Sequence, residues 1–577
     1  MTNRFPLVLV PPSTALVNAW KNTQVPVGLL LLAALARRQP GVLPRVHLGP
    51  MHFPDRAAAE AAAEALLADG TRLVGISAWC HTLPAQLTLA RAVRRRAPEV
   101  PIVFGGPQAT AMAGALLEAF DCVDLVLRGE TEASFPRLLR ALRGEGDLSG
   151  VPGLSWRQGG RVVENAPGPP CDDLDALPRP AWDLLPPGPV AAVESGRGCP
   201  WACTFCSTSA FFARRHRTRS PASLIDELRW LATHRGVRHV TFTDDIFTVD
   251  KRAVRAFCEA FIAAGRPLAW GCSTRIDCVD DALLQLMAQA GCDGILYGVE
   301  TGSARLQRVM GKKLRVERVL PTVEATRAAG ITPYCTFIFG FPEETPEDLA
   351  ASLALVRALV ERDVRTTAQT LCVLPDTPYH REQVGALRFD GYTSLSRATL
   401  TADELLAVKA HPAIFSSFHH LDSPAAPRDF LIAATQMTNL LRHFSQTVRR
   451  DGFGDVFAAL RDGIDAGRWD ADILRGDFDE AGAALIGDCV ADDDGRAIFA
   501  LEAATLRARR RALAGEAVEG FVHVSDRPLE PLLAGARHVA PAPHDYEVRL
   551  IGDGDAILRP IGRFFSTRQP LAIASRS

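Results

Sequence analysis

The chain lacks charge of either sign in excess: 64 Lys and Arg against 66 Asp and Glu leave a net charge of -2 over 577 residues. A protein with no overall field has no default attraction for polyanions, so nucleic acid is not an expected partner. No run of about twenty apolar residues occurs, so no membrane-spanning segment is expected. The start, Met1-Thr2-Asn3-Arg4-Phe5-Pro6, lacks signal-peptide architecture. A disulfide framework is also missing. Of 13 cysteines, those at 80, 122, 171, 258, 272, 278, 292, 335, 372 and 489 are scattered through a large chain, which fits a reducing cytoplasm. The length is enough for three or four domains at about 150 residues each.

What is present is one dense stretch, Glu194-Ser195-Gly196-Arg197-Gly198-Cys199-Pro200-Trp201-Ala202-Cys203-Thr204-Phe205-Cys206. Cys199, Cys203 and Cys206 follow an apolar run at C-x3-C-x2-C spacing, with two glycines ahead of the first. Three thiols on a short loop can share one cavity, and the loop holds no fourth. Iron-sulfur clusters take cysteines at short spacings of this kind. Structural zinc takes four protein ligands, and the nearest further candidate is His216, beyond two phenylalanines and two arginines. Buried structural cysteines rarely come as a glycine-led triplet.

This loop, with Phe205 before its last cysteine, resembles the cluster motif of the radical S-adenosylmethionine (SAM) enzymes. The resemblance implies a 4Fe-4S cluster on the three thiolates, SAM at the open iron, and an external electron donor of flavodoxin or ferredoxin type.

On either side of the loop, apolar runs alternate with alanine-rich helical stretches, the pattern of parallel α/β sheets. Strands are expected at 5–10, 45–48, 73–77, 102–104 and 125–127. The fold class expected is α/β: an N-terminal doubly wound, Rossmann-like domain (1–145), a proline-rich linker (146–190), a partial (β/α)6 TIM-type barrel (191–385) and a mainly helical α+β C-terminal domain (386–577). Ligands of such sheets lie at the carboxyl ends of the strands. In the first domain these are Pro12 and Ser13, Ser77 and Trp79, Gly105-Gly106-Pro107, and Arg128-Gly129-Glu130. In the barrel they are Asp244, Ser273 and Arg275, Glu300, and Gly340.

Together with the Pro-Val-Gly-Leu run that contains Gly28, the first set resembles the cobalamin-binding domain of one branch of radical SAM enzymes. The D-x-H-x-x-G signature is absent, and the resemblance implies base-off cobalamin without a histidine from that motif. Trp79 is the candidate cap beneath the cobalt, and His81 reads as an ordinary loop histidine. In the barrel, Asp244-Asp245-Ile246-Phe247, Ser273-Thr274-Arg275, Gly298-Val299-Glu300-Thr301-Gly302 and Gly340-Phe341-Pro342-Glu343-Glu344-Thr345 resemble the family's SAM-binding turns. Glu300 suits ribose hydroxyls or the methionine ammonium. Arg275 suits the methionine carboxylate or a structural salt bridge to Asp244 or Asp277. Asp244 and Asp245 equally suit helix capping.

The activity implied is methyl transfer from SAM, via methylcobalamin, to a carbon of a peptide or secondary-metabolite substrate. A radical cyclisation or rearrangement, a polar methyl transfer and a cofactor-sensing binding protein are the alternatives. A monomer is expected. Phe415-Ser416-Ser417-Phe418-His419-His420 reads as pocket lining or core, and Arg507, Arg509, Arg510 and Arg511 as a basic helix end.

Overall fold

The computed structural model of the chain describes residues 4–12, 26–49, 51–395, 400–444, 447, 456–467, 478–490, 499, 502–503, 506, 521–523, 546–551 and 555–560. Ser13 and the arginines at 507–511 lie outside these residues.

Five apolar segments form parallel strands: β1 (Phe5–Val10), β2 (Val42–Val46), β3 (Leu73–Ser77), β4 (Ile102–Gly105) and β5 (Leu125–Leu127). Alternation places successive side chains on opposite faces. Val8 and Val10 accordingly join one buried cluster with the helices Arg56–Leu67 and Leu83–Arg96, while Leu7 and Leu9 join another with Val27–Arg37 and Phe135–Leu142. Burial on both faces is why these strands are apolar throughout rather than alternating.

Two further strands, β6 (Leu154–Gln158) and β7 (Arg161–Glu164), extend the sheet antiparallel to β5 and to each other, giving the order β2-β1-β3-β4-β5-β6-β7. They fall in the stretch expected to be linker. Gly159 and Gly160, at φ +57° and +79°, make the tight turn between them, a backbone shape that glycine adopts without penalty.

The second sheet comprises β8 (Val190–Val193), β11 (His239–Phe242), β12 (Ala269–Thr274), β13 (Cys292–Glu300), β14 (Thr332–Phe339) and β15 (Arg365–Thr370), in chain order across the sheet. β8, β11, β12, β13 and β14 pair in parallel, with helices such as Pro221–Arg235 and Lys251–Ala263 between them. A two-stranded ribbon, β9 (Gly196–Arg197) with β10 (Arg217–Thr218), brackets the cysteine loop.

The chain divides into two compact units. Residues 1–351 and 369–426 form the first. Within it the chain after the second sheet returns to the first sheet: Ile414, Phe415 and Phe418 enter the core of that sheet, Thr88 donates to Glu404 at 3.0 Å, and the Gln108 amide donates to the Ile414 carbonyl at 2.7 Å. His419 and His420 are buried as well, and the two phenylalanines of the Phe415–His420 stretch are core.

The second unit contains residues 352–368 and 427–577. Its helix Arg428–Leu441 is buried nearly all round, and the Asn439 amide bonds the Ala368 backbone in both directions at 2.9 Å. Strands β16 (Phe521–His523), β17 (Tyr546–Ile551) and β18 (Asp555–Pro560) pair antiparallel in the order β16-β18-β17. Among the described residues no helix is long and apolar enough to cross a membrane.

Candidate active site

The cysteine loop starts where β8 ends. Gly198 sits at φ +83°, and a Cβ there would lie 2.0 Å from the Arg215 carbonyl, so only glycine lets the loop pass under β10. Thr204 N donates to Met310 O at 3.0 Å, and a Cβ on Gly311 would lie 2.8 Å from Ala202 O. The segment 310–312 thus runs against the loop's outer side. Phe205 packs edge-on to Phe341 at 5.8 Å between ring centres.

The three thiols feel one another electrostatically. Burial first, and then the other two cysteines, push Cys199 up to about 11. Cys203 and Cys206 are pushed up by burial too, and Lys312 opposes the shift in both. A site of this kind binds metal with proton release. No three His, Cys, Asp or Glu side chains among the described residues converge as ligands of one metal ion. Three thiols on one glycine-shaped loop, each able to take a different iron, suit a cluster.

Glu300 ends β13 at φ +69°, in the left-handed region, beside a register shift against β14. A non-glycine residue there stores strain of the kind that gathers at functional sites. Its Oε1 accepts from Lys312 Nζ at 2.9 Å and its Oε2 from Thr336 Oγ1 at 3.1 Å, all three residues being largely removed from solvent. A Cβ on Gly298 would lie 2.6 Å from Glu300 Oε1 and 2.9 Å from Lys312 Nζ, so this glycine makes room for the pair. Lys312 escaped the sequence reading. Its signal was the Met310-Gly311-Lys312-Lys313 run straight after the helix Ala304–Val309.

Arg275 took the structural alternative. Its Nε and Nη2 donate to Asp277 at 2.9 and 2.8 Å, and Nη2 also donates to the Lys312 carbonyl at 3.0 Å. The guanidinium lies 4.5 Å from the centre of the Trp201 ring, inside the cysteine loop. It therefore braces both the loop and the Lys312 segment. At the end of β12 the Ser273 hydroxyl is buried with no hydrogen-bond partner, which is unusual for a buried polar group. Gly340, at φ +89°, forms a turn whose backbone N–H donates to Glu344 at 2.6 Å.

Asp244 reaches back to the start of the loop, where Ser195 N and Oγ donate to its two oxygens at 2.9 and 2.5 Å. It is neither a cap nor open to a ligand. Burial pushes its carboxyl up to about 7, against the pull of these hydrogen bonds. The unfolded carboxyl titrates near the ordinary value of about 4. A proton held more tightly in the folded state stabilises fully below that value, and the benefit is lost as pH rises through about 7. Glu344, buried and likewise pushed up to about 7, adds the same sign. The depressed imidazoles of His81, His216 and His419 act with the opposite sign, so the comparison is with D244N, a neutral isostere that can accept from Ser195 N and donate to Ser195 Oγ. In metal-free protein the urea midpoint of the wild type should fall relative to that of D244N between pH 5 and 7.5; a constant difference would remove Asp244 as a source of the pH dependence.

On the first sheet, the candidates line up along the carboxyl edge. Pro12 follows β1 and is half-buried, and Gly28 is exposed in the first turn of its helix with open space around it. Trp79, after β3, is 48 % exposed, an unusual place for so large an apolar ring unless something covers it. His81 packs edge-on to it at 5.8 Å; burial pushes its imidazole down to about 4, and its Nε2 has no partner. Gly106, at φ +91°, would place a Cβ 3.0 Å from Ala78 O and 3.2 Å from Ser77 Oγ, so the loops after β3 and β4 close on each other, with Pro107 starting the next helix. Gly129, at φ +73°, donates its N–H to Thr110 at 2.9 Å.

The side chains of Arg128 and Glu130 are engaged by partners within the protein. Arg128 pairs with Glu164 at 3.2 Å and donates to Asn165 O at 2.5 Å, tying β5 to the β7 end. Glu130 accepts from Arg197 at 3.1 Å, from Arg217 at 2.7 Å and from Cys171 N at 2.9 Å. Both carboxylate oxygens are occupied by the ribbon that frames the cysteine loop and by the backbone at Cys171.

Residues 193–356 match the radical SAM superfamily and residues 13–139 the B12 binding domain. Over 361 residues the chain is 30 % identical to an uncharacterized methyltransferase of Pyrococcus horikoshii, covering 61 % of this chain and 77 % of that protein. It is 31 % identical over 293 residues to the anaerobic magnesium-protoporphyrin IX monomethyl ester cyclase of Synechocystis, covering 49 % of this chain but only 58 % of the cyclase. The fold matches that of the radical SAM methyltransferase TsrM from Kitasatospora setae, solved with cobalamin and a 4Fe-4S cluster bound. The TM-score is 0.58 at 19 % identity, over 81 % of this chain and 99 % of that one. With a cluster loop at the head of one parallel sheet and a B12-type sheet before it, the chain belongs to the cobalamin-dependent radical SAM family, in its methyltransferase branch.

Proposed function

We propose that the protein transfers a methyl group from SAM to a carbon atom of a peptide or secondary-metabolite substrate. The observation that carries this reading is the meeting, in one compact unit, of two chemistries: the cysteine loop beside Glu300 and Lys312, and the carboxyl edge of the first sheet, tied to that loop through Glu130 and Arg197. When bound, the 4Fe-4S cluster supplies an electron and the cobalamin a methyl-carrying cobalt.

In this reading Cys199, Cys203 and Cys206 hold the cluster, and the buried Ser273 hydroxyl offers SAM a hydrogen bond. Glu300 accepts from the SAM ammonium or ribose, and Lys312 meets its carboxylate. Arg275 orients Lys312 and Trp201 without touching the ligand. Trp79 lies under the corrin ring, whose apolar face would cover its exposed indole. The Gly105–Gly106 turn gives the cofactor a close backbone approach, and the cofactor is base-off. The cobalamin-binding segment then runs past the expected boundary at 145 to the end of β7, and those at 190 and 385 separate connecting, SAM-binding and substrate-related segments, in a monomeric, cytoplasmic enzyme reduced by a flavodoxin- or ferredoxin-type donor.

The test is anaerobic reconstitution with iron, sulfide and cobalamin, followed by reduction and addition of methyl-labelled SAM. Label moving to the bound cobalamin is expected. A radical cyclisation is the second reading, favoured by the 31 % identity to the Synechocystis cyclase. Deoxyadenosine formed with all of the label recovered in methionine and none on cobalamin would favour it over methyl transfer.

A further inference from the structure

Arg197, the second residue before Cys199, contacts three carboxylates at once and belongs to none of the SAM-binding turns. Its guanidinium meets three carboxylates: Nε donates to Glu194 at 2.9 Å, Nη1 to Glu130 at 3.1 Å, and Nη2 pairs with Glu132 at 2.7 Å. Arg197 is 6 % exposed and Glu130 7 %. Glu130 and Glu132 belong to the loop after β5, in the first sheet. Glu194 and Arg197 belong to the approach to the cysteine loop in the second. Arg217, opposite Arg197 across the β9–β10 ribbon, grips Glu130 from the other side at 2.7 Å and donates to Cys171 O at 2.6 Å. The network continues through Arg219, which donates to the Glu194 carbonyl at 3.2 Å and to Glu227.

Holding Glu130 and Glu132, both largely out of solvent, and the part-exposed Glu194 against two guanidiniums is costly, since ions that lose water must be repaid by geometry. Hydrophobic residues could hold two domains together at lower desolvation cost. What a planar guanidinium adds is direction: its N–H groups fix the carboxylates in a plane, in two dimensions at once. The residue so fixed is joined to Cys199 through Gly198 alone, and Gly198 packs so closely against the Arg215 carbonyl that a Cβ would not fit. A shift of the β5 loop therefore reaches the first cluster cysteine over a very short stretch of backbone.

We propose that Arg197 is a positioning residue that sets the distance and orientation of the cluster loop relative to the cobalamin-binding edge of the first sheet, so that occupation of that edge is felt at the cluster. This rests on the functional reading above for what occupies the two sites, but the coupling itself belongs to the Glu130–Glu132–Arg197–Glu194 contacts.

The test uses full-length reconstituted protein. R197M removes all three contacts at similar length, R197K keeps the charge but cannot serve three carboxylates in one plane, and E132Q weakens one arm. Two readouts are taken. One is the electron paramagnetic resonance spectrum with the cluster reduced and the cobalamin in its paramagnetic state, in which the magnetic interaction between the two centres reports their separation. The other is hydrogen exchange of residues 194–219 with and without added cobalamin. In the wild type, cobalamin should slow exchange in this segment by about tenfold or more, equivalent to about 1.4 kcal/mol. In R197M the spectral interaction should change and the cobalamin-induced protection should vanish, with iron and cobalamin contents retained; R197K and E132Q should fall between.

Unchanged interaction and protection in R197M would overturn the proposal. Loss of iron or cobalamin from R197K and E132Q as well would also overturn it, by making the network a requirement for folding. A wild type that binds no cobalamin would sink the functional reading instead.

Discussion

Serine in place of Cys203 should abolish reductive cleavage of SAM while leaving the fold intact. Loss of a residue that merely orients a metal ligand costs about 10–100-fold in affinity or activity, so loss of a ligand should exceed that and leave deoxyadenosine below detection. The loop's shape does not depend on the thiol. It is held by Gly198 beneath the Arg215 carbonyl, by Thr204 N on Met310 O, and by the Asp244 contacts to Ser195. Oxygen for sulfur in a half-buried side chain should therefore shift the metal-free protein's stability by no more than about 0.5 kcal/mol. The measurement is iron per chain, the visible absorption of the cluster and deoxyadenosine produced after reduction. A C203S protein that held a full cluster and cleaved SAM at the wild-type rate would remove Cys203 from the ligand set. C199S and C206S should behave alike, whereas C272S or C335S, both buried in strands away from the loop, should keep their iron.

Residues whose role is set by local backbone were the legible ones. The cysteine spacing, the apolar runs of β1, β3 and β5, and the glycines after β4 and in the 298–302 turn each announce a conformation within a few residues, and β1, β3 and β5 start and end where the apolar runs do. The hairpin β6–β7 was equally local, through Gly159-Gly160, but the surrounding prolines drew attention to an extended connector instead. Pairings across long separations were not legible. Glu130 and Arg197 are 67 residues apart, Thr88 and Glu404 are 316 apart, and nothing in either neighbourhood names the other. The same holds for Phe415 and Phe418, whose aromatic cluster fits a pocket or a core until the first sheet is seen packing against it. Arg275 could be assigned only once Asp277 was found occupying its Nε and Nη2.

The pair formed by Glu300 and Lys312 should show its two functions separately. E300Q leaves a buried ammonium without its anion, and K312M leaves a buried carboxylate without its cation. Each should destabilise the metal-free protein by about 3–5 kcal/mol. The double variant E300Q/K312M removes both charges, so its loss should fall short of the sum by about 1–3 kcal/mol. This pattern, read from urea midpoints, tests the ion pair without any cofactor. SAM binding should respond differently. A hydrogen bond to a charged group contributes about 1.5–3 kcal/mol, so each single variant should weaken SAM by roughly 10–150-fold, and the double variant should recover none of it, because the ligand's own charges then find neither partner. The resonance spectrum of the reduced cluster decides where Glu300 points. Since Lys312 and Thr336 engage both of its oxygens, E300Q should leave the SAM-free spectrum unchanged and lose only the shift that SAM produces. A changed SAM-free spectrum in E300Q would instead place the Glu300 carboxylate on the open iron, in competition with SAM, and would favour polar over radical methyl transfer.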